Sequence, residues 1–299
     1  MRALRCRQVA ELPVLAGADE VVAATASVFG QLAILVAPRG SEPSADNSRV
    51  YVHDGEQGWA VTRLTGPAIA YPLLDLLPDG GILIVGARCQ RFRDGTAEDN
   101  AHVFDASGAH LRSFCLGDGI EHVGVDAAGT IWVSYFDEGV FGNLGWAEPI
   151  GAAGLLRFDS HGRRLWAYEP PSGADHIVDC YALNVDARTT WAYYYGQFPL
   201  VRITDGRAQA YLPTPVRGAA LLLAYRDEVI FVGDYDDPVR LAACRLTDRG
   251  VQYDGDVLLL DPNGARLHSF HPVTARGSRL YLQVEGRILQ VDLADQGDT

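Results

Sequence analysis

Short apolar runs, each ended by a turn containing Asp or Gly, follow one another along the whole chain, and almost no stretch carries the 3.6-residue period of a helix. Three segments align without gaps: VFDASGAHLRSF ending at Phe114, RFDSHGRRLWAY ending at Tyr168, and LLDPNGARLHSF ending at Phe270. Each reads as a strand ending in Asp, a tight turn closed by Gly, and a second strand. The Asp carboxylate accepts hydrogen bonds from turn amides and the Gly supplies a positive φ, both of which a tight hairpin demands. YVHDGEQGWAVTRL and VRITDGRAQAYL are weaker copies. The turn aspartates are then Asp54, Asp105, Asp159, Asp205 and Asp261, spaced 51, 54, 46 and 56 residues apart.

Two further strands are predicted between successive hairpins. In IEHVGVDAAGTIWVSYFD an apolar strand meets a D-x-x-G turn at Asp126 and Gly129 and continues into another; PLLDLLPDGGILIVGARC and DCYALNVDARTTWAYYYG repeat the form. A four-stranded unit recurring about every 50 residues is the signature of a propeller blade. Blades fall at 19–65, 67–118, 119–172, 173–215 and 216–270, and 271–294 holds only three strands. An open sheet edge invites aggregation, so the leading strand around Leu4–Ala10 is expected to supply the missing outer strand. The expectation is an all-β fold: a six-bladed β-propeller of four-stranded blades, a single domain over 1–299, closed 3+1 by residues 1–12. Counts of five or seven blades stay open.

This blade pattern resembles the six-bladed propellers that include NHL-repeat proteins, the SMP-30/gluconolactonase group and strictosidine-synthase-like proteins. Streptogramin lyases share the D-x-x-G-x-I/V-W strand style of Asp126–Trp132. That family has seven blades and a His/Glu motif that finds no counterpart here. In the lactonase group the resemblance implies a metal carboxylate in an E-G-P-like motif opening the first blade. Here the blade opens with GADEVVAAT, where Glu20 is the one counterpart and the motif around it is missing.

Charge narrows the partners. With 38 acidic and 25 basic residues the chain carries a net charge of −13, which repels nucleic-acid backbones and anionic lipid surfaces and suits cationic or neutral small molecules. The N-terminus lacks the apolar core of a signal peptide and no run approaches a membrane span, so a cytoplasmic location is expected. Five scattered cysteines without a C-x-x-C pair read as small buried residues in a reducing compartment. No G-x-S-x-G elbow, H-E-x-x-H, Walker A loop or helix-opening G-x-G-x-x-G is present, which removes support from serine hydrolase, zinc protease, nucleotide triphosphatase and Rossmann readings.

In a propeller the d-to-a and b-to-c connections share one face. Four b-to-c loops are predicted to be long, 37–49, 89–101, 137–153 and 235–255, and insertions confined to one face mark it as the binding face. Strand starts and ends facing that mouth hold the candidate residues. Glu121, His122, His176 and Asp179 are the catalytic candidates, since a His beside a carboxylate titrates near neutral pH. The candidate ligand-binding residues are Tyr71, Arg88, Tyr135, Asp137, Glu138, Tyr181, Tyr195, Asp234 and Asp236. Oxygen ligands among these favour Ca2+ or Mg2+, and imidazole favours Zn2+. The DYDDP run at Asp234–Pro238 lacks the later Gly and Glu of an EF-hand and reads as a solvated turn. Two readings follow: a rigid module binding a small molecule or protein at the mouth, and a hydrolase or lyase using a divalent cation or a His–carboxylate pair there.

Overall fold

A computed structural model describes residues 2–40, 47–56, 58–67 and 69–296; residues 41–46 of the first long loop lie outside them. The chain begins with β1 (Arg2–Arg5) and β2 (Arg7–Glu11) and forms two compact units. One unit comprises residues 13–169 with 176–180, the other residues 1–12, 170–175 and 181–299. Each carries three sheets. Together the six sheets, five of four strands and one of four with an added edge strand, make the fold a six-bladed β-propeller.

In the first unit the sheets are β3 (Asp19–Ala26), β4 (Leu32–Pro38), β5 (Arg49–His53) and β6 (Trp59–Arg63); β7 (Pro72–Leu76), β8 (Ile82–Gly86), β9 (Ala101–Phe104) and β10 (His110–Phe114); and β11 (Ile120–Val125), β12 (Ile131–Tyr135), β13 (Leu155–Phe158) and β14 (Arg164–Ala167). Strand order in each sheet follows chain order, so every connection within a sheet is a hairpin. The second strands, LAILVAP, ILIVG and IWVSY, are buried almost throughout, whereas the fourth strands are largely exposed. A strand covered on both faces must be apolar at successive positions, which explains these unbroken runs. Leu35, Leu74, Ile84 and Phe104 form one shared core between the first two sheets; Leu83, Val103, Val133 and Leu156 form another between the second and third. Asp75, fully buried on β7, ties neighbouring sheets by accepting a 2.7 Å hydrogen bond from Val125 N of β11.

The turn chemistry read from the sequence is present. Oδ1 of Asp105 accepts from the amides of Ser107 and Ala109, and Oδ1 of Asp159 accepts from those of His161 and Arg163. Asp126 does the same for Ala128 and Thr130 in the turn between β11 and β12.

The second unit holds β15 (Cys180–Val185), β16 (Thr189–Tyr194), β17 (Leu200–Thr204) and β18 (Arg207–Tyr211); β19 (Leu221–Tyr225), β20 (Glu228–Val232), β21 (Leu241–Thr247) and β22 (Gly250–Leu260); and β23 (His271–Arg276), β24 (Arg279–Val284) and β25 (Arg287–Asp292). Here two expectations change. The Asp261 hairpin is not the last hairpin of the fifth sheet. That role falls to the turn between β21 and β22, so the preceding loop covers 233–240 and not 235–255. The cause is β22, which is 11 residues long. Its first half pairs with β21 and its second half, Val257–Leu260, pairs in parallel with β1. With β1 occupying that edge, the segment after the Asp261 turn makes one bridge, Arg266 to Leu260, and no strand. Asp261 keeps its turn bonds to the amides of Asn263 and Ala265.

The N-terminal segment is also divided. β2 pairs antiparallel with β25 as the fourth strand of the sixth sheet, while β1 adds a fifth strand to the fifth sheet. Cys6 lies at the step between them, its amide bonded to Leu260 O. The loop between β12 and β13 carries α1 (Asp137–Phe141) and a 3-10 turn at Ile150–Ala153. Among the described residues no helix is long and apolar enough to cross a membrane.

Candidate functional site

The first unit contains an open cavity of about 960 Å3. Its wall is built from the starts of β3, β7 and β11 and from residues just past β8 and β12. Glu20 and Val22, Tyr71 and Leu73, Ala87 and Arg88, Ile120 and Glu121, and Phe136 are the main contributors. Tyr71 is largely exposed and sits at a φ of 51°, an unusual conformation for a bulky residue, with its carbonyl accepting from the Ala87 amide.

Arg88 is held from behind. Its Nε and Nη2 donate to the two carboxylate oxygens of Asp118 at 2.9 and 3.1 Å, a bidentate pair, and Asp118 Oδ1 also accepts from the Cys89 amide at 2.8 Å. Glu138, in the first turn of α1, makes a second ion pair with Arg88 at 2.8 Å, and the guanidinium lies 5.7 Å from the centre of the Phe136 ring. Hydrogen bonding to Asp118 is the main reason the Arg88 guanidinium is held above its ordinary pKa. The turn that presents Asp118 packs directly on α1. Gly119 has a φ of 69°, and a Cβ there would meet Gly139 N at 2.2 Å. Only glycine allows this approach, and through it α1 delivers Glu138 to Arg88.

Glu121 projects into the same cavity, and no basic side chain pairs with it among the described residues. Burial, and then the nearby Asp179 carboxylate, push its carboxyl above the ordinary value. Asp179 is pushed up in turn by burial and by Asp137. Like charge thus runs from Asp137 to Asp179 to Glu121, and no ion pair to Glu121 or Asp179 occurs among the described residues. Among the described residues no group of three or more His, Cys, Asp or Glu side chains converges in a way that would hold a metal ion.

The histidines lie elsewhere. His122 follows Glu121 on β11, where the ladder with β12 shifts register between Ile120 and His122, and it does not line the cavity. Its Nδ1 is 2.9 Å from Ser134 Oγ, its register partner on β12, and burial lowers its pKa to about 4. His176 is exposed in the segment before β15 and is outside the cavity wall. Tyr135 is fully buried, its hydroxyl donating to Leu116 O at 2.6 Å, and belongs to the core.

The state of His122 has a consequence for stability. In the unfolded chain it takes up a proton near pH 6.5, whereas in the folded chain it does so only near 4. Its contribution is complete above pH 6.5 and is lost as the pH falls through the interval down to about 4. His122→Gln should flatten the acid limb of stability against pH in denaturant melts. Parallel limbs for the two proteins would refute this assignment. His102, also lowered to about 4, chiefly by burial, contributes to the slope that remains.

The remaining candidates lie in the second unit. Tyr181, Tyr195 and Tyr235 gather around Phe198 with ring centres 5.7 to 6.1 Å from it, and the hydroxyls of Tyr235 and Tyr181 are 3.1 Å apart. Tyr195 and Tyr235 are half or more exposed. Asp234 closes its own turn, accepting from the amides of Asp236 and Asp237, and pairs with Arg240 at 2.8 Å. That hydrogen bond to Arg240 holds its carboxyl below the usual range. Asp236 is exposed at the tip of the same turn.

Asp118 and Phe136 were not singled out by sequence reasoning. The G-D-G run before β11 was the available signal for Asp118, since glycines on either side of an acid mark a close backbone approach.

No family model matches the chain, and no curated protein matches it. Solved structures do. A catalytically inactive virginiamycin B lyase from Staphylococcus aureus with quinupristin matches with a TM-score of 0.52 and 14% identity, over 95% of this chain and 98% of that one. A nidogen/laminin complex matches with a TM-score of 0.51 and 12% identity, over 84% and 91%. A gluconolactonase from Xanthomonas campestris gives 0.42 and 13%, over 97% and 96%. At these identities the likeness to the first two shows the fold alone.

Proposed function

We propose that this chain binds a small organic cation in the cavity between Glu20, Tyr71, Arg88, Glu121 and Phe136. Glu121 carries the reading. A carboxylate that faces a cavity, lacks a basic partner and is crowded by Asp179 gains when an ammonium group arrives. The positive charge of Arg88 is already balanced by Asp118 and Glu138 and does not oppose such a ligand. Tyr71 and Phe136 offer aromatic surface for a cation, and Val22, Leu73 and Ile120 offer apolar surface for its carbon skeleton. The volume suits one small molecule. Because His122 is engaged with Ser134, Glu121 has no imidazole partner, which favours binding over the hydrolase or lyase reading.

Calorimetric titration with benzylammonium and with neutral benzyl alcohol tests this. The ammonium should bind more tightly, and Glu121→Gln should weaken it by about tenfold, or roughly 1.4 kcal/mol, without lowering the melting temperature. Affinity should fall on acidification earlier than for an ordinary carboxylate, since the ligand needs Glu121 ionised and its pKa is raised. Equal binding of the two probes, or an unaffected Glu121→Gln variant, would sink the reading.

A further inference from the structure

We infer that Cys89 and Cys115 form a redox-modification site that closes reversibly into an intramolecular disulfide. The two lie 26 residues apart, Cys89 in the loop after β8 and Cys115 immediately after β10, and the second sheet brings their sulfurs to 3.7 Å. A disulfide needs about 2.05 Å, so closure takes a movement of about 1.7 Å. Cys89 is buried and Cys115 half-buried, whereas Cys6, Cys180 and Cys244 are all buried. An oxidant therefore meets Cys115 first, with Cys89 behind it as the resolving thiol. The contact with Cys89 also holds the Cys115 thiol below its ordinary pKa, and the same contact, with burial, pushes Cys89 up. This is the asymmetry that an attacking and a resolving thiol require.

The oxidant class is a hydroperoxide. The Cys115 thiolate attacks one peroxide oxygen: an S–O bond forms, the O–O bond breaks, and the departing oxygen leaves as water once protonated. Cys89 sulfur then attacks the sulfenic sulfur: the S–S bond forms, the S–O bond breaks, and the thiol proton leaves with hydroxide as a second water. Two thiols are oxidised and one hydrogen peroxide is reduced to two waters. Closure also pulls on three bonds that fix Cys89: its amide to Asp118, its thiol to Glu98 O at 3.3 Å, and its carbonyl to Trp146 Nε1 at 2.8 Å. Reduction is expected to restore them.

The test uses the full reduced chain with hydrogen peroxide, followed by maleimide blocking in denaturant and mass mapping. Expected is the loss of two hydrogens, blocking of three of the five thiols, a Cys89–Cys115 cross-linked peptide, and reversal by dithiothreitol. Cys89→Ser should give no cross-link but a dimedone-labelled Cys115, and Cys115→Ser should give neither. Five blockable thiols after peroxide, a link between two chains, or equal dimedone labelling of the wild type and Cys89→Ser would overturn the inference. The wild-type map decides the pairing by itself even if a variant fails to fold. No ligand enters the measurement, so its outcome is independent of what the cavity binds.

Discussion

A chain lacking residues 1–12 is expected to unfold at a far lower denaturant concentration than the intact protein and to aggregate when concentrated. Those residues form two strands on two different sheets: β1 in parallel on β22 and β2 antiparallel on β25. Their removal opens both edges, which then present unpaired amides and carbonyls to other chains. Leu4, Cys6 and Ala10 are almost wholly buried, and Leu4 and Cys6 belong to a core that also contains Leu259, Leu280 and Leu289. Burying the Leu4 side chain contributes about 2 kcal/mol. Each lost ladder hydrogen bond adds about 1 kcal/mol, so the total is on the order of 5 kcal/mol or more. That is comparable to the whole stability of an ordinary domain. Guanidinium unfolding and size-exclusion chromatography measure the two effects, and an unchanged midpoint would show that the N-terminal strands are dispensable. Leu4→Ala separates the core from the ladder: it leaves both pairings in place and should cost about 3 kcal/mol.

How the sequence misled at this end is instructive. The hairpins at Asp105 and Asp159 were legible because a local rule, carboxylate to amide plus glycine, determines them completely. The same rule is obeyed at Asp261, yet the strand that should follow is missing. Pairing there is decided by a segment more than 250 residues away, since Arg2–Arg5 already lie beside Val257–Leu260. Turn chemistry reports where the chain reverses and not what occupies the edge afterwards. The unbroken look of Leu4–Ala10 hid its break at Cys6 for the same reason.

The site divides along similar lines. Residues at strand starts and ends, such as Tyr71, Arg88 and Glu121, follow from the blade register and were legible. Glu121 lines the cavity while His122 meets Ser134 at a register shift between Ile120 and His122, an irregularity that the alternation of the sequence does not announce. Tyr135 shows the converse case: a polar tip at a strand end looks like a ligand contact until Leu116 O is found beside its hydroxyl. The sulfur pair Cys89 and Cys115 left no spacing signal, because loop and strand-end geometry creates it.

Asp118→Ala should destabilise the protein by about 2 to 3 kcal/mol and disable the cavity for cations. The Asp118 side chain is 1% exposed and accepts three hydrogen bonds, two from Arg88 and one from the Cys89 amide. Breaking a fully buried pair costs about 3 to 5 kcal/mol, but the Arg88 side chain is 28% exposed, so water recovers part of that. Asp118→Asn retains an acceptor for the Cys89 amide and for one Arg88 nitrogen, and about 1 kcal/mol is expected. The electrostatic effect in the cavity is larger. Without the Asp118 charge, Arg88 and Glu138 form a neutral pair where the wild-type trio carries a net charge of −1, so the guanidinium beside Phe136 attracts an anion more and an ammonium ligand less. Both variants should therefore lose affinity for benzylammonium and gain affinity for benzoate. The reversal separates two roles for this residue. If Asp118→Ala melts early while both probes bind as they do to the wild type, Asp118 anchors the loop alone and does not position Arg88. If the preference inverts in Asp118→Asn, where the loop bond survives, charge balance at Arg88 is what admits a cation to Glu121.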